Sequence, residues 1–598
     1  MSLAWLKTPV NRIEVSTLSS TKTCSSESIE RIRSWDKTCS SFHSECKKSR
    51  ISNKLPLRLL DVIPSDADEA RVAEVIHLQQ YDELSLDSIP GTKILSTKSI
   101  PPESSYLTLS HRWGTPPGIT LSRNTSFLLG EDISRHLVET GDAAVFRHAI
   151  QVTRSLGYRY LWIDALCIMQ DDEIERTNEI MRMDDIYFNS ALNISATEGS
   201  TDGLLLDRNL YRINPCRVTV KGTSDHPDVS LEAVSERCFL GSSDGPLNQR
   251  GWVFQERYLA PRVVHFTKDQ IFWECHELVA SETLPFGISD AVSAKRAPFQ
   301  NASALPSDQL NQTKDQWYEL VYEYSRTSLT YGDDRLLAIS AIAKRYCSHM
   351  GLDSTDYLAG VWKTDLPVSL LWYQTSGKSA PIFDSEGEST IAPSWSWASI
   401  LTRIEYFNQV IGDELVVHTE VMQTTIHRRS PNYFDGAISC RLRLRGPLCK
   451  VHRYIIDGQP ELRILNDQKN TEAILRESYY GLSIPDGTGD IFVTWDTSRK
   501  AVVQYLNDKN VHDSTPSEFV LLRIASQANG EAIHVRGIVL QRTDLNGTFR
   551  RVGYFYIQYE GGDRTSGIED AFNGVLQTLD ADDYLEIDSE GQHTIDLI

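Results

Sequence analysis

Short apolar runs alternate with longer stretches of helical apolar spacing through the N-terminal half of the chain. Tyr160-Leu161-Trp162-Ile163 is too short for a helix and follows Gly157, so it predicts a buried parallel strand. An acid, Asp164, and a thiol, Cys167, come directly after it. Tyr106, Leu107 and Leu109 predict a second strand, ended by Gly114 and Pro116-Pro117. Between the two, Val145, Ala149, Val152 and Leu156 have helical spacing, with Gly157 as a stop. Strand, helix, strand implies a right-handed parallel crossover, which opens Ser110-His111 and Asp164 on one side of a sheet. Residues 172–189 predict a helix with Ile180, Met183 and Tyr187 on its core face and Glu179 flanking that face. Residues 191–196 return as a strand.

Farther on, β-runs are expected at 216–220 and 229–234, and a strand near 73–78. Trp252, Gln255, Glu256 and Leu259 share one helical face. A hairpin is expected from 262–266 and 271–275, and helix over 315–346. Trp395 and Trp397 have the period of one strand face. After about residue 400 only β-runs remain, which suggests a sandwich or barrel. The predicted organisation is a disordered arm at 1–27, a lead-in at 28–100, an α/β domain at 101–290, a helical, Trp-rich extension of it at 291–400 and a β-rich domain at 401–598.

Composition narrows the function classes. The 598 residues are 40% hydrophobic and 24% charged, an ordinary globular balance. A net charge of −21 disfavours nucleic acid and anionic membrane as partners. No apolar run is long enough to span a bilayer. Ten scattered cysteines fit reduced thiols and a cytoplasmic location better than a disulfide framework. Cys39, His43 and Cys46 lie at i, i+4, i+7 of a helix that also carries Ile29, Ile32 and Trp35. That is three potential metal ligands where a closed zinc site wants four, so packing is the preferred reading, and neither metal nor cofactor is expected. Gly241-Ser242-Ser243-Asp244-Gly245 has nucleophile-elbow spacing but no helix directly after it, so it is read as chance.

Three blocks carry a family resemblance: residues 106–114 around Ser110-His111-Arg112-Trp113, residues 159–171 around Asp164 and Cys167, and residues 250–256 from Arg250 to Glu256. Together they resemble the signature of the fungal heterokaryon incompatibility (HET) domain. Glu179 with Met183, residues 262–266, Asp333-Asp334-Arg335-Leu336 and Pro393 to Trp397 resemble its flanking features, so the resemblance covers roughly residues 28–400. It implies a parallel-sheet α/β domain, TIR-like or flavodoxin-like, in an effector of nonself recognition and programmed cell death. Some TIR proteins cleave NAD. No Gly-x-x-x-x-Gly-Lys nucleotide-binding motif and no repeat array accompanies it here.

Cleaving an N-glycosidic bond needs a carboxylate beside the ribose. Glu179 is favoured by analogy with TIR hydrolases, with Asp164 and Glu256 as alternatives. Trp113 or Trp252 could stack on a base, although indoles more often anchor cores. Ser110, Arg112, Arg250 and Gln255 complete the candidate binding set, and a half-buried Glu256 needs a partner such as Arg250, Arg112 or His111. A second chemistry makes Cys167 a nucleophile with His111 as base and Asp164 as orienter. Three functions follow: an effector hydrolase taking a nucleotide or other small molecule, an enzyme or accessory protein of secondary metabolism using the same site, or a non-catalytic module whose C-terminal β region binds a protein partner.

Overall fold

The computed structural model describes residues 3–4, 15–48, 54–63, 91–114, 118–139, 143–198, 203–221, 229–235, 245–287, 307–375, 392–407, 415–428, 432–434, 437–456, 459–466, 471–477, 491–496, 516–529, 532–560, 572 and 579–598. It forms two compact units, residues 1–300 and 301–598. The expected strand at 73–78 and most of the elbow-like segment, residues 241–244, lie outside the described residues. Among the described residues no helix is long and apolar enough to cross a membrane.

The first unit opens with α1 (Ser26–Phe42) and α2 (Ser44–Lys48), followed by β1 (Arg58–Asp61) and β2 (Lys93–Ser96). Then come β3 (Tyr106–Ser110), α3 (Ala143–Ser155), β4 (Tyr160–Trp162), α4 (Glu173–Met181), α5 (Met183–Phe188) and β5 (Leu192–Ser195). After α6 (Gly251–Leu259), β6 (Arg262–Phe266), β7 (Ile271–Cys275) and β8 (Val279–Ser281) complete an eight-stranded sheet in the order β8-β7-β6-β5-β3-β4-β1-β2. β3 and β5 are buried along their whole length, as expected of strands covered on both faces.

The four central strands, β6-β5-β3-β4, are parallel, and the flanking pairs are antiparallel. The sheet is therefore mixed rather than wholly parallel. The four-residue link from β6 to β7 is far too short for a crossover, so that neighbour must reverse direction. In register, Thr108 faces Trp162 on one side and Asn193 on the other, and Ser110 faces Ser195. The chain leaves β3 towards β4 and then returns to β5 on the opposite side of β3. Such a reversal of winding opens a crevice at the carboxyl ends of β3 and β5.

Three local expectations are corrected. The helix expected over 172–189 breaks at Arg182 (φ −99°, ψ 0°), whose guanidinium turns back to Glu179 and to the Leu55 carbonyl. The described part of the expected disordered arm, residues 15–27, is packed. Leu18, Thr23 and Cys24 are buried, and backbone hydrogen bonds run to Leu206, Arg208 and Thr283. The lead-in is not a separate piece either, because β1 and β2 belong to the same sheet as β3.

In the second unit the expected 315–346 helix is two, Ser307–Ser325 and Leu337–Met350. Arg335 is buried between them, over Trp397 at 5.2 Å and Tyr324 at 6.0 Å, and donates to the Thr402 carbonyl at 3.2 Å. Trp395 and Trp397 lie in a turn, not a strand. Ser396 caps the turn through the Ala398 amide, and the Trp397 indole N–H donates to the Gly360 carbonyl at 2.8 Å. The extension at 291–400, expected with the α/β domain, thus falls from residue 301 onward in the unit that contains the β-rich region.

Within that β-rich region, seven strands pair in a closed ring. These are Leu448–Ile456, Gln459–Asn466, Thr471–Glu477, Ile491–Trp495, Thr548–Glu560, Ala532–Arg542 and Pro516–Asn529, the last pairing back to the first. Cys449, Val493, Phe519, Val535, Phe555 and Phe572 are among the residues of its apolar core. Closure removes the free edges that a long open sheet would expose.

Candidate functional site

β3 ends on Ser110, directly at the crevice. Its hydroxyl donates to Glu256 Oε2 at 2.5 Å and receives the Asn193 side-chain amide at 2.9 Å. The Asn193 amide is oriented in turn by Thr108, whose hydroxyl donates to its Oδ1 at 3.0 Å. Glu256 comes from α6, which packs on α5, and the Tyr187 hydroxyl of α5 bonds the same carboxyl group. Arg250, at the N-terminus of α6, donates from Nη1 to the His111 carbonyl at 3.0 Å and fastens that helix to the end of β3.

Asp164 follows β4 at the same edge of the sheet. Its Oδ1 accepts the Ala165 amide at 2.7 Å, and its Oδ2 accepts the Trp113 indole N–H at 2.9 Å. His111 Nδ1 stands 3.7 Å from Asp164 Oδ1, an ion-pair distance too long for a hydrogen bond. The imidazole is held by its neighbours, near-parallel to Trp113 at 6.5 Å and edge-on to Phe146 at 5.0 Å. Ser110, His111, Trp113, Asp164, Arg250 and Glu256, far apart in the chain, are thereby linked into one group by contacts at the strand ends.

The two acids differ. Asp164 is half-buried, whereas Glu256 is buried. Burial pushes the Glu256 carboxyl up to about 7, and the nearby Asp164 charge pushes the same way. Hydrogen bonds from Ser110 and Tyr187 and the charge of Arg250 pull it back only in part. Among the described residues no Lys or Arg forms an ion pair with Glu256; Arg257, next to it, makes a two-point pair with Glu274 at 2.8 and 3.1 Å. Burial raises the Tyr187 phenol well above its ordinary range, so that hydroxyl keeps its proton and remains a donor. The result is a buried carboxyl group that can take up or release a proton near neutrality, next to a second acid, which suits general acid–base work.

Other expected site residues lie elsewhere or in states that do not suit their expected roles. Glu179 is buried, but its carboxylate accepts from Arg182 at 2.7 Å and from the Leu57 amide at 3.3 Å, on the segment leading into β1. Cys167 is fully buried, and burial raises its thiol to about 12, the opposite of what an activated nucleophile needs. Arg250 serves the His111 carbonyl rather than bonding the Glu256 carboxylate directly. Trp252 is half-buried, Arg112 is exposed, and Gln255 is buried with no hydrogen-bond partner for its amide oxygen among the described residues. Sequence reasoning missed Asn193 and the polar role of Tyr187. An amide inside the otherwise apolar Leu192-Asn193-Ile194 was the available signal for the first.

The arrangement defines an α/β domain with a polar site where its parallel strands reverse their winding. Residues 106–256 match the family model described as Heterokaryon incompatibility protein (HET). Over that span, from the start of β3 to Glu256, the chain is similar to the HET domain. No curated protein and no solved structure matches it.

Proposed function

We propose that this HET domain is a hydrolase acting on the N-glycosidic bond of a nucleotide such as NAD, in an effector of incompatibility and cell death, with Asp164 and Glu256 as its working carboxylates. The observation that carries this reading is the buried Ser110–Glu256 hydrogen bond beside Asp164 at the crevice. The reversal of winding among the central parallel strands supports it, because open α/β sheets take ligands at such a point. Asp164, facing the ribose, stabilises the oxocarbenium-like centre as the bond from C1′ to the nicotinamide nitrogen breaks and nicotinamide leaves neutral. Glu256, once ionised, takes the proton of the attacking water whose oxygen bonds to C1′, and Ser110 holds it in place. ADP-ribose, nicotinamide and one proton are the products. Trp113 supplies an aromatic face beside Asp164.

The test is nicotinamide release from NAD by the purified full chain. Rates should rise as pH passes about 7, the range in which Glu256 loses its proton. Glu256→Gln and Asp164→Asn should each lower the rate by about 10²-fold or more. Absence of nicotinamide release, or release that neither substitution changes, would remove the proposal.

A further inference from the structure

Away from the Ser110–Glu256 site, the end of α1 meets β7. There Cys39, His43, Cys46 and Cys275 converge, with one ligand atom from each (three sulfurs and an imidazole nitrogen) all within 4.8 Å of one another. His43 Nδ1 lies 3.4 Å from Cys275 Sγ and 3.8 Å from Cys46 Sγ. A tetrahedral zinc ion with zinc–sulfur bonds near 2.3 Å and zinc–nitrogen bonds near 2.05 Å sets its ligand atoms about 3.6 Å apart for N and S, and about 3.8 Å for two sulfurs. The two imidazole–sulfur distances already fit that geometry, and the whole set, within 4.8 Å, needs to contract by no more than about 1 Å to meet it. We infer that Cys39, His43, Cys46 and Cys275 form a structural zinc site that ties the N-terminal helices to the β6–β7 hairpin.

Local structure supports the assignment independently of the spacing. α1 ends at Phe42, His43 is extended (φ −77°, ψ 114°), and α2 restarts at Ser44. The break lets His43 and Cys46 turn towards β7. None of the three thiols is in a disulfide, and all three are buried. The backbone amide of His276 faces the Cys46 sulfur and that of Glu277 faces the Cys275 sulfur, which is how thiolate ligands are commonly stabilised. Glu277 also reaches back to the Glu45 amide at 2.6 Å, closing the loop around the cluster.

Charge favours a dication as well. Three thiolates around Zn²⁺ leave one negative charge, and the buried Arg262 donates from Nε to Cys39 Sγ at 3.0 Å, where it neutralises that charge. Three soft sulfurs and one imidazole select zinc over magnesium or calcium, whose sites are built from oxygen. No free ligand position remains in a four-ligand set, so the role is structural.

The test is metal content of the full chain produced in zinc-supplemented medium and measured by plasma mass spectrometry. About one zinc per chain is expected, released on titration of the thiols with a mercurial. Cys39→Ser and Cys275→Ser should retain less than about a tenth of it, whereas the exposed Cys216→Ser should retain all of it. Because a ligand variant can fail to fold, a second readout uses wild-type protein reloaded with Co²⁺. Thiolate-to-cobalt charge transfer and intense tetrahedral d–d bands are expected, and His43→Cys should keep both metal and fold. Folded wild-type chain without stoichiometric zinc and without the cobalt spectrum would overturn the inference. Full zinc retention by folded Cys275→Ser would overturn it as well.

Discussion

Two buried carboxyl groups, one in each unit, show what distinguishes a structural acid from a working one. Asp496 sits just past the strand Ile491–Trp495, and Arg551 Nη1 donates to it at 2.7 Å, with both side chains at most 2% exposed. Arg551 also stacks on Trp372 at 3.2 Å and donates to its carbonyl. Burial raises the acid to about 6 and lowers the guanidinium to about 10, so at neutral pH both are charged and cancel. Glu256 is equally hidden but is met by two hydroxyls and a neighbouring acid, and it titrates near 7. Glu282, closed off by Arg208 at 2.5 Å and by Ser28 at 2.6 Å, follows the pattern of Asp496. Where a fold needs only to bury an acid, it supplies a cation. At the crevice beyond β3 it supplies hydroxyls, and the acid's proton stays exchangeable.

The largest effect should come from breaking the compensated pair. Arg551→Ala leaves Asp496 as an unpaired buried charge and should lower stability by about 3–5 kcal/mol at pH 8, read from urea unfolding. Asp496→Asn, which keeps the shape but removes the charge, should lose less.

Glu256→Gln should do the reverse and stabilise. The folded-state value of about 7 lies above the ordinary 4.5, so the folded chain holds an extra proton between those values, and stability falls as pH rises through that window. At pH 8 the ionised, buried Glu256 costs on the order of 3 kcal/mol, which the glutamine variant recovers. Below pH 4.5 the two proteins should have nearly equal stability. Thermal unfolding of both across pH 4–8 checks the sign, and a gain that does not shrink towards acid pH would contradict it.

Ser110→Ala removes a donor from the ionised Glu256 and an acceptor from Asn193. A loss of about 1–3 kcal/mol is expected at pH 8. The gain from Glu256→Gln should grow in that background and level off at a higher pH, since the serine hydrogen bond lowers the folded-state carboxyl. Trp113→Phe is the mildest change. It deletes one N–H donor to the half-buried Asp164 and should cost about 1 kcal/mol in urea unfolding.

How far the sequence reaches follows the same division. Strands β3, β4 and β5 were legible because each is a short apolar run bounded by glycine or polar residues, and their polar ends then mark the crevice. The seven strands of the closed ring were legible as β-runs, but the order in which they pair was not, because period-two patterning records burial rather than neighbours. The Ser110–Glu256 contact needed the position of α6, which no spacing rule supplies. Glu179 misled because its place on an apolar flank says it is covered but not what covers it; Arg182 does so only because the helix breaks there. Cys275 was invisible for a related reason: three of the cluster's ligands sit close together in sequence around the break between α1 and α2, and the fourth arrives from β7, far along the chain.

The central claim is that Glu256 is a buried acid exchanging its proton near neutrality. Infrared difference spectra of wild type against Glu256→Gln, recorded across pH 5–9, test it most directly. The expected result is a protonated carboxyl C=O band, absent from the variant, that disappears with a midpoint near 7. A carboxyl group already ionised at pH 5 would contradict it and return Glu256 to the class of ordinary structural acids.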